Sequence, residues 1–122
     1  MILLDTNIII YSALENHKNL REFFKNSNAG CSMISHLEVL GYHKITPEQI
    51  KYFEAVFELA ETMPITEEVI QQAITFRKKH SMSVADSIIA ATAKVYNATL
   101  YTNNIKDFAF IKEIKLYNPM LT

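Results

Sequence analysis

The chain has 122 residues and a mass of 14.0 kDa, room for one domain whose core needs no disulfide or metal staple. Hydrophobic residues make up 49% and charged residues 20%, which excludes a disordered chain. The formal net charge of -1 excludes binding of a polyanion through bulk charge, so any nucleic-acid affinity must be local, through a few placed cations or metal ions.

From the amino end, residues 1–4 form a short apolar run closed by Asp5, as in a buried strand. Asp5 also interrupts the run before a secretory leader can develop. The pattern turns helical from residue 8 to about 14 and again over 20–24. Residues 31–34, preceded by Gly30, read as a second strand. Thr46-Pro47-Glu48-Gln49 is a helix start, with Thr as N-cap, Pro at the first helical position and Gln three after the cap. Behind it Ile50, Phe53, Val56, Phe57 and Ala60 recur at helical spacing. Another helix follows Thr66, with Glu67 and Glu68 in its first turn and Arg77, Lys78, Lys79 and His80 at its end, an order that suits the helix dipole. A further helix begins at Ser83 and carries a wide apolar stripe through Val84, Ile88, Ile89, Thr92 and Tyr96. Residues 99–102 and 114–117 read as the last strands.

Short apolar strands between helices predict an α/β fold, three layers with a mostly parallel central sheet covered on both faces, forming one domain over 1–122. Two glycines and three prolines, all isolated, leave no linker and no Gly-rich phosphate loop. The lone Cys31 has no internal disulfide partner, and no apolar run approaches the ~18 residues of a membrane span. A cytoplasmic protein with no membrane contact is expected.

In open parallel sheets, ligands bind outside the carboxyl ends of the strands. Asp5 ends the first predicted strand, Glu38 follows the second by about one helical turn, and Asn103, Asn104 and Asp107 follow the strand at 99–102. Asp86 lies in the first turn of its helix. Four acids far apart in sequence are thus expected on one rim. Crowded carboxylates repel and call for a cation, and all-oxygen ligation favours Mg2+ or Mn2+ over zinc. Each acid also has an ordinary structural reading. Ser35…Glu38 and Ser83…Asp86 match the capping-box pattern, Asp5 fits an N-cap, and Asp107 fits a turn or cap.

Ile2-Leu3-Leu4-Asp5-Thr6-Asn7, Ser35 to Glu38, Val84-Ala85-Asp86-Ser87-Ile88-Ile89-Ala90-Ala91-Thr92-Ala93 and Leu100-Tyr101-Thr102-Asn103-Asn104-Ile105-Lys106-Asp107-Phe108 occur in that order. With these four blocks the chain resembles a PIN domain over essentially its whole length, the nuclease family that includes VapC-type toxins of toxin–antitoxin pairs. The resemblance implies a PIN-like fold and a metal-dependent endoribonuclease leaving 5′-phosphate and 3′-hydroxyl ends. It implies that Asp5, Glu38 and Asp86 bind Mg2+ or Mn2+. Some family members carry the fourth acid two residues after the threonine, where this chain has Asn104, and others just before the phenylalanine, where it has Asp107. Asp107 is taken as the fourth acid, catalytic and metal-binding like the others, with Asn104 supporting. Thr6, Asn7, Ser35, Thr102 and Asn103 are expected to orient the carboxylates by hydrogen bonds, with ordinary capping and turn roles as their alternatives. An RNA substrate, a small antitoxin protein and a homodimer are the implied partners. The rival functions are an RNA-processing PIN nuclease without an antitoxin, a non-catalytic PIN-like binding module and, more distantly, a phosphoaspartate receiver.

The remaining features have plainer readings. The Arg77–His80 cations suit the helix dipole as well as RNA phosphates. Lys18, Arg21 and Lys25 are spaced as a solvated positive stripe. His17, His36, His43 and His80 lack zinc-site spacing and are expected at the surface. Phe53, Phe57 and Phe76 fall in helical patterns, as core rather than base-stacking residues. The run Ile8-Ile9-Ile10-Tyr11 with Leu14 exceeds what one helix face needs, so it either fills the core or walls a groove for a partner's helix.

Overall fold

A computed structural model describes residues 1–25 and 28–121. Five strands form one all-parallel sheet: β1 (Ile2–Leu4), β2 (Ala29–Ser32), β3 (Glu61–Met63), β4 (Thr99–Tyr101) and β5 (Lys115–Tyr117), in the order β3-β2-β1-β4-β5. The helices are α1 (Thr6–Tyr11), α2 (Glu22–Lys25), α3 (Met33–Leu40), α4 (Pro47–Leu59), α5 (Glu67–Lys79), α6 (Val84–Val95) and α7 (Ile105–Phe108), with a 3-10 helix at Glu15–Arg21.

Side chains alternate across a strand, so neighbouring residues of β1 feed different layers. Leu3 packs with Val69, Phe76, Ile89, Leu100 and Phe108 under α5, α6 and α7. Leu4 packs with Ile8, Leu20, Phe24, Phe53 and Phe57 under α1, α2 and α4. Both leucines are 0% exposed, and the result is the predicted three-layer α/β/α fold, with a sheet that is wholly parallel. Each layer buries side chains whose removal from water contributes about 1.5–3 kcal/mol apiece.

Two features depart from the sequence expectation. The second strand occupies Ala29–Ser32 rather than 31–34, because the Ser32 hydroxyl accepts the Ile34 N–H at 3.2 Å and starts α3 at Met33. Cap chemistry outweighs the apolar run. The edge strand β3 was not anticipated, since only Met63 of its three residues is buried and no alternation shows. It lies close against β2: a Cβ on Gly30 would come within 2.9 Å of the Glu61 carbonyl oxygen. The Thr46 capping box is present, with Thr46 N–H donating to Gln49 and Gln49 N–H to the Thr46 hydroxyl.

Candidate metal and nuclease site

The chain runs outward from β1 to β2 and β3, then returns through α5 and α6 to lay β4 on the other side of β1. That reversal makes the carboxyl ends of β1 and β4 the switch point of the sheet, where ligands bind in open parallel folds. Asp5 follows β1 there and Thr102 follows β4. The Thr102 hydroxyl donates to Asp5 Oδ2 at 2.7 Å and accepts the Asn104 N–H at 2.9 Å, so one threonine fixes both the carboxylate and the turn into α7. Asp5 stands at the N-cap of α1, yet its carboxylate makes no capping bond. It is 4% exposed, and burial, with Asp86 and Glu38 adding repulsion, lifts its pKa from 3.8 to about 6 against the Thr102 bond that lowers it.

Glu38 reaches the same place from α3. The Thr6 hydroxyl donates to Glu38 Oε1 at 2.6 Å, a charge-assisted bond of about 1.5–3 kcal/mol. Thr6 has one proton, so the buried Ser35 hydroxyl, 2.8 Å away, donates to Thr6. Ser35 and Glu38 therefore do not cap α3; Ser32 does. Ser83 does cap α6, accepting the Asp86 N–H at 3.0 Å, which leaves the Asp86 side chain half-buried at the first turn. Burial raises the Asp86 pKa, and Asp107 and Glu38 raise it further against a hydrogen bond from Ser83.

Asp107 is exposed in the first turn of α7. Repulsion thus links Asp5, Glu38, Asp86 and Asp107 into one acidic field. Among the described residues no three His, Cys, Asp or Glu side chains form a ready-made metal cage. Of the other expected supports, Asn103 Oδ1 accepts from Asn118 Nδ2 at 3.2 Å, tying the β4 and β5 exits together. Asn104 N-caps α7 without a side-chain cap bond.

Several plainer expectations change. His36 is half-buried rather than at the surface, stacked on Phe57 at 4.0 Å and bonded to the Thr62 hydroxyl at 2.9 Å, and burial lowers its pKa. His17 is also half-buried, whereas His43 and His80 are exposed. Lys18, Arg21 and Lys25 form no stripe, because Arg21 turns inward and its Nε donates to the Ser12 carbonyl at 2.8 Å, at the end of α1. Phe53, Phe57 and Phe76 are core. Ile8 and Ile9 are buried, but Ile10 and Leu14 are 40% and 48% exposed.

A three-layer parallel α/β fold with acids gathered at its switch point defines the class. The PIN domain family model matches residues 2–113, and the chain belongs to the PIN domain family. Solved structures similar to it include VapBC2 from Rickettsia felis bound to a promoter DNA fragment. That match has 27% identity and a TM-score of 0.79, covering 97% of this chain and 98% of that one. DNA-bound VapBC from Salmonella typhimurium matches with 24% identity, a TM-score of 0.83 and 96% of each chain. FitAcB from Neisseria gonorrhoeae matches with 23% identity, a TM-score of 0.80 and 100% of each chain. A sequence search of curated proteins gave no match. Among the described residues, no helix is long and apolar enough to cross a membrane.

Proposed function

We propose that this PIN domain is a metal-dependent endoribonuclease and the toxin of a toxin–antitoxin pair. The observation that carries the reading is the convergence of acids from four separate segments at the switch point of the sheet, in a chain of the PIN family. The donor set fits a hard divalent ion, since every candidate ligand is an oxygen and the buried Asp5 carries a charge that burial disfavours. Asp5, Glu38, Asp86 and Asp107 would hold Mg2+ or Mn2+, with Asn104 nearby. Such an ion lowers the pKa of a bound water and neutralises phosphate charge. The chain's own part is orientation: Thr102 aims Asp5, Thr6 aims Glu38 with Ser35 behind it, and Asn103 steadies the β4 exit. Asn7 stands beside Thr6 as a further support.

The test is incubation of purified protein with total RNA, with and without Mg2+ or Mn2+, followed by mapping of cut ends. Metal-dependent cuts with 5′-phosphates are expected; RNA left intact with either ion ends the proposal.

Two surfaces support the partners. Ile10, Leu14, Tyr42 and Ile45 wall an apolar groove of about 280 Å3 with Glu38 on its rim, suited to an amphipathic helix of an antitoxin. On α5, Glu67, Ile70, Ile74 and Arg77 share one face, with both isoleucines exposed. That order reads acid, apolar, apolar, base, so two antiparallel copies would set Ile70 against Ile74 and Glu67 against Arg77, as an isologous dimer requires. Ile74→Glu is expected to convert the dimer to a monomer in light scattering. A variant that keeps the wild-type mass excludes this face.

A further inference from the structure

We propose that the cavity between the loop at 80–83 and α7 is a subsite for one unpaired RNA nucleotide beside the cleaved bond. Its base would lie against the His80–Phe110 rings and a phosphate against Lys106. The proposal rests on the ribonuclease reading and adds to it where the strand is gripped. The cavity holds about 410 Å3, within the ~300–1,000 Å3 of small-ligand pockets. Asp86 and Asp107 form part of its wall, so whatever fills it adjoins the acids.

Three observations select a nucleotide. Phe110, unlike the buried Phe53, Phe57, Phe76 and Phe108, lines this cavity, and the exposed His80, beside the cavity rather than in its wall, packs over the Phe110 ring at a centroid distance of 3.9 Å and 34°. The exposed His80 ring, backed by Phe110 beside a polar cavity, suits a flat, partly polar ligand, and nucleobases stack on such rings without regard to sequence. Lys106 is the sole cation among the cavity-lining residues and is in no ion pair among the described residues. It is thus available to a phosphate that the neighbouring acids would otherwise repel. The loop is also held in place. His80 ends α5 in an extended conformation, the Arg77 Nε–H donates to the Met82 carbonyl at 3.2 Å, and Ser83 caps α6. A platform fixed before binding loses little freedom on binding.

The probe is a fluorescein-labelled RNA hexamer, with anisotropy read in an Asp5→Asn background that halts cleavage, so that binding is seen alone. His80→Ala, at an exposed position, is expected to weaken binding roughly tenfold, the effect of one lost stacking partner. Lys106→Ala should lower the slope of log K against log salt by about 0.7. An abasic site placed in turn along the hexamer should cost about tenfold at one position in the parent and nothing further there in His80→Ala. Binding by His80→Ala within twofold of the parent, an abasic cost unchanged by that substitution, or no binding of the hexamer at all overturns the subsite. The two readings fail separately. A wild-type enzyme that cleaves RNA while His80 has no effect loses only the subsite. A protein that shows the His80-dependent abasic cost but never cleaves loses only the nuclease reading.

Discussion

Asp5→Asn protein freed of divalent ions should unfold at a higher temperature than the wild type at pH 7.5, by several degrees. Asp5 is buried and its pKa stands at about 6 rather than 3.8, so holding it ionised in the fold costs about 3 kcal/mol. Asparagine removes the charge and keeps an oxygen for Thr102 to donate to, so a gain of about 2 kcal/mol is expected. The sign with pH follows from the raised value. Well below pH 3.8 the carboxyl is protonated in both folded and unfolded chains and the wild type has its full stability. As pH rises through 6 the folded state alone must release a proton it holds more tightly, and that stability is lost. Thermal melts in EDTA from pH 4.5 to 8 should show this fall in the wild type and not in the variant, the two curves converging at the acid end. Mg2+ or Mn2+ should restore the wild type at pH 7.5 and leave the variant unmoved. A variant that melts below the wild type at pH 7.5, with parallel pH profiles, refutes the idea that Asp5 is held at a cost.

Asp86→Asn isolates function from folding. The cap bond from the Asp86 N–H to the Ser83 hydroxyl is made by the backbone, so the helix start survives the substitution. Under the proposed function, loss of this carboxylate should lower RNA cleavage by roughly a thousandfold, about 4 kcal/mol of transition-state stabilisation. Circular dichroism should remain that of the wild type. Undiminished metal-dependent cleavage by a folded Asp86→Asn protein removes Asp86 from the site.

The long helices were legible because their stripes repeat, and the acids because each lies just past a strand or at a helix start. Asp86 feels the repulsion of Asp5, Glu38 and Asp107 from three other segments of the chain. What was not legible lies in contacts that leave no periodic trace. β3 buries one residue of three and contributes mainly backbone pairing to β2. Ser32 and Ser35 have the same cap preference, and only the fold decides that Ser32 starts α3 while Ser35 turns inward to Thr6. Arg21 matched a surface stripe by spacing, but the carbonyls at the end of α1 drew it inward. The stacking of His80 on Phe110 joins residues 30 positions apart, a distance at which a single sequence carries no signal.

The bond from Thr102 to Asp5 joins residues 97 positions apart, and β4 reaches β1 only after every other helix but α7 has been made. During synthesis β1 can pair with β2 early, but Asp5 must wait until β4 has left the ribosome before Thr102 reaches it. A nascent chain short of β4 has Asp5 without its clamp and lacks α7 altogether.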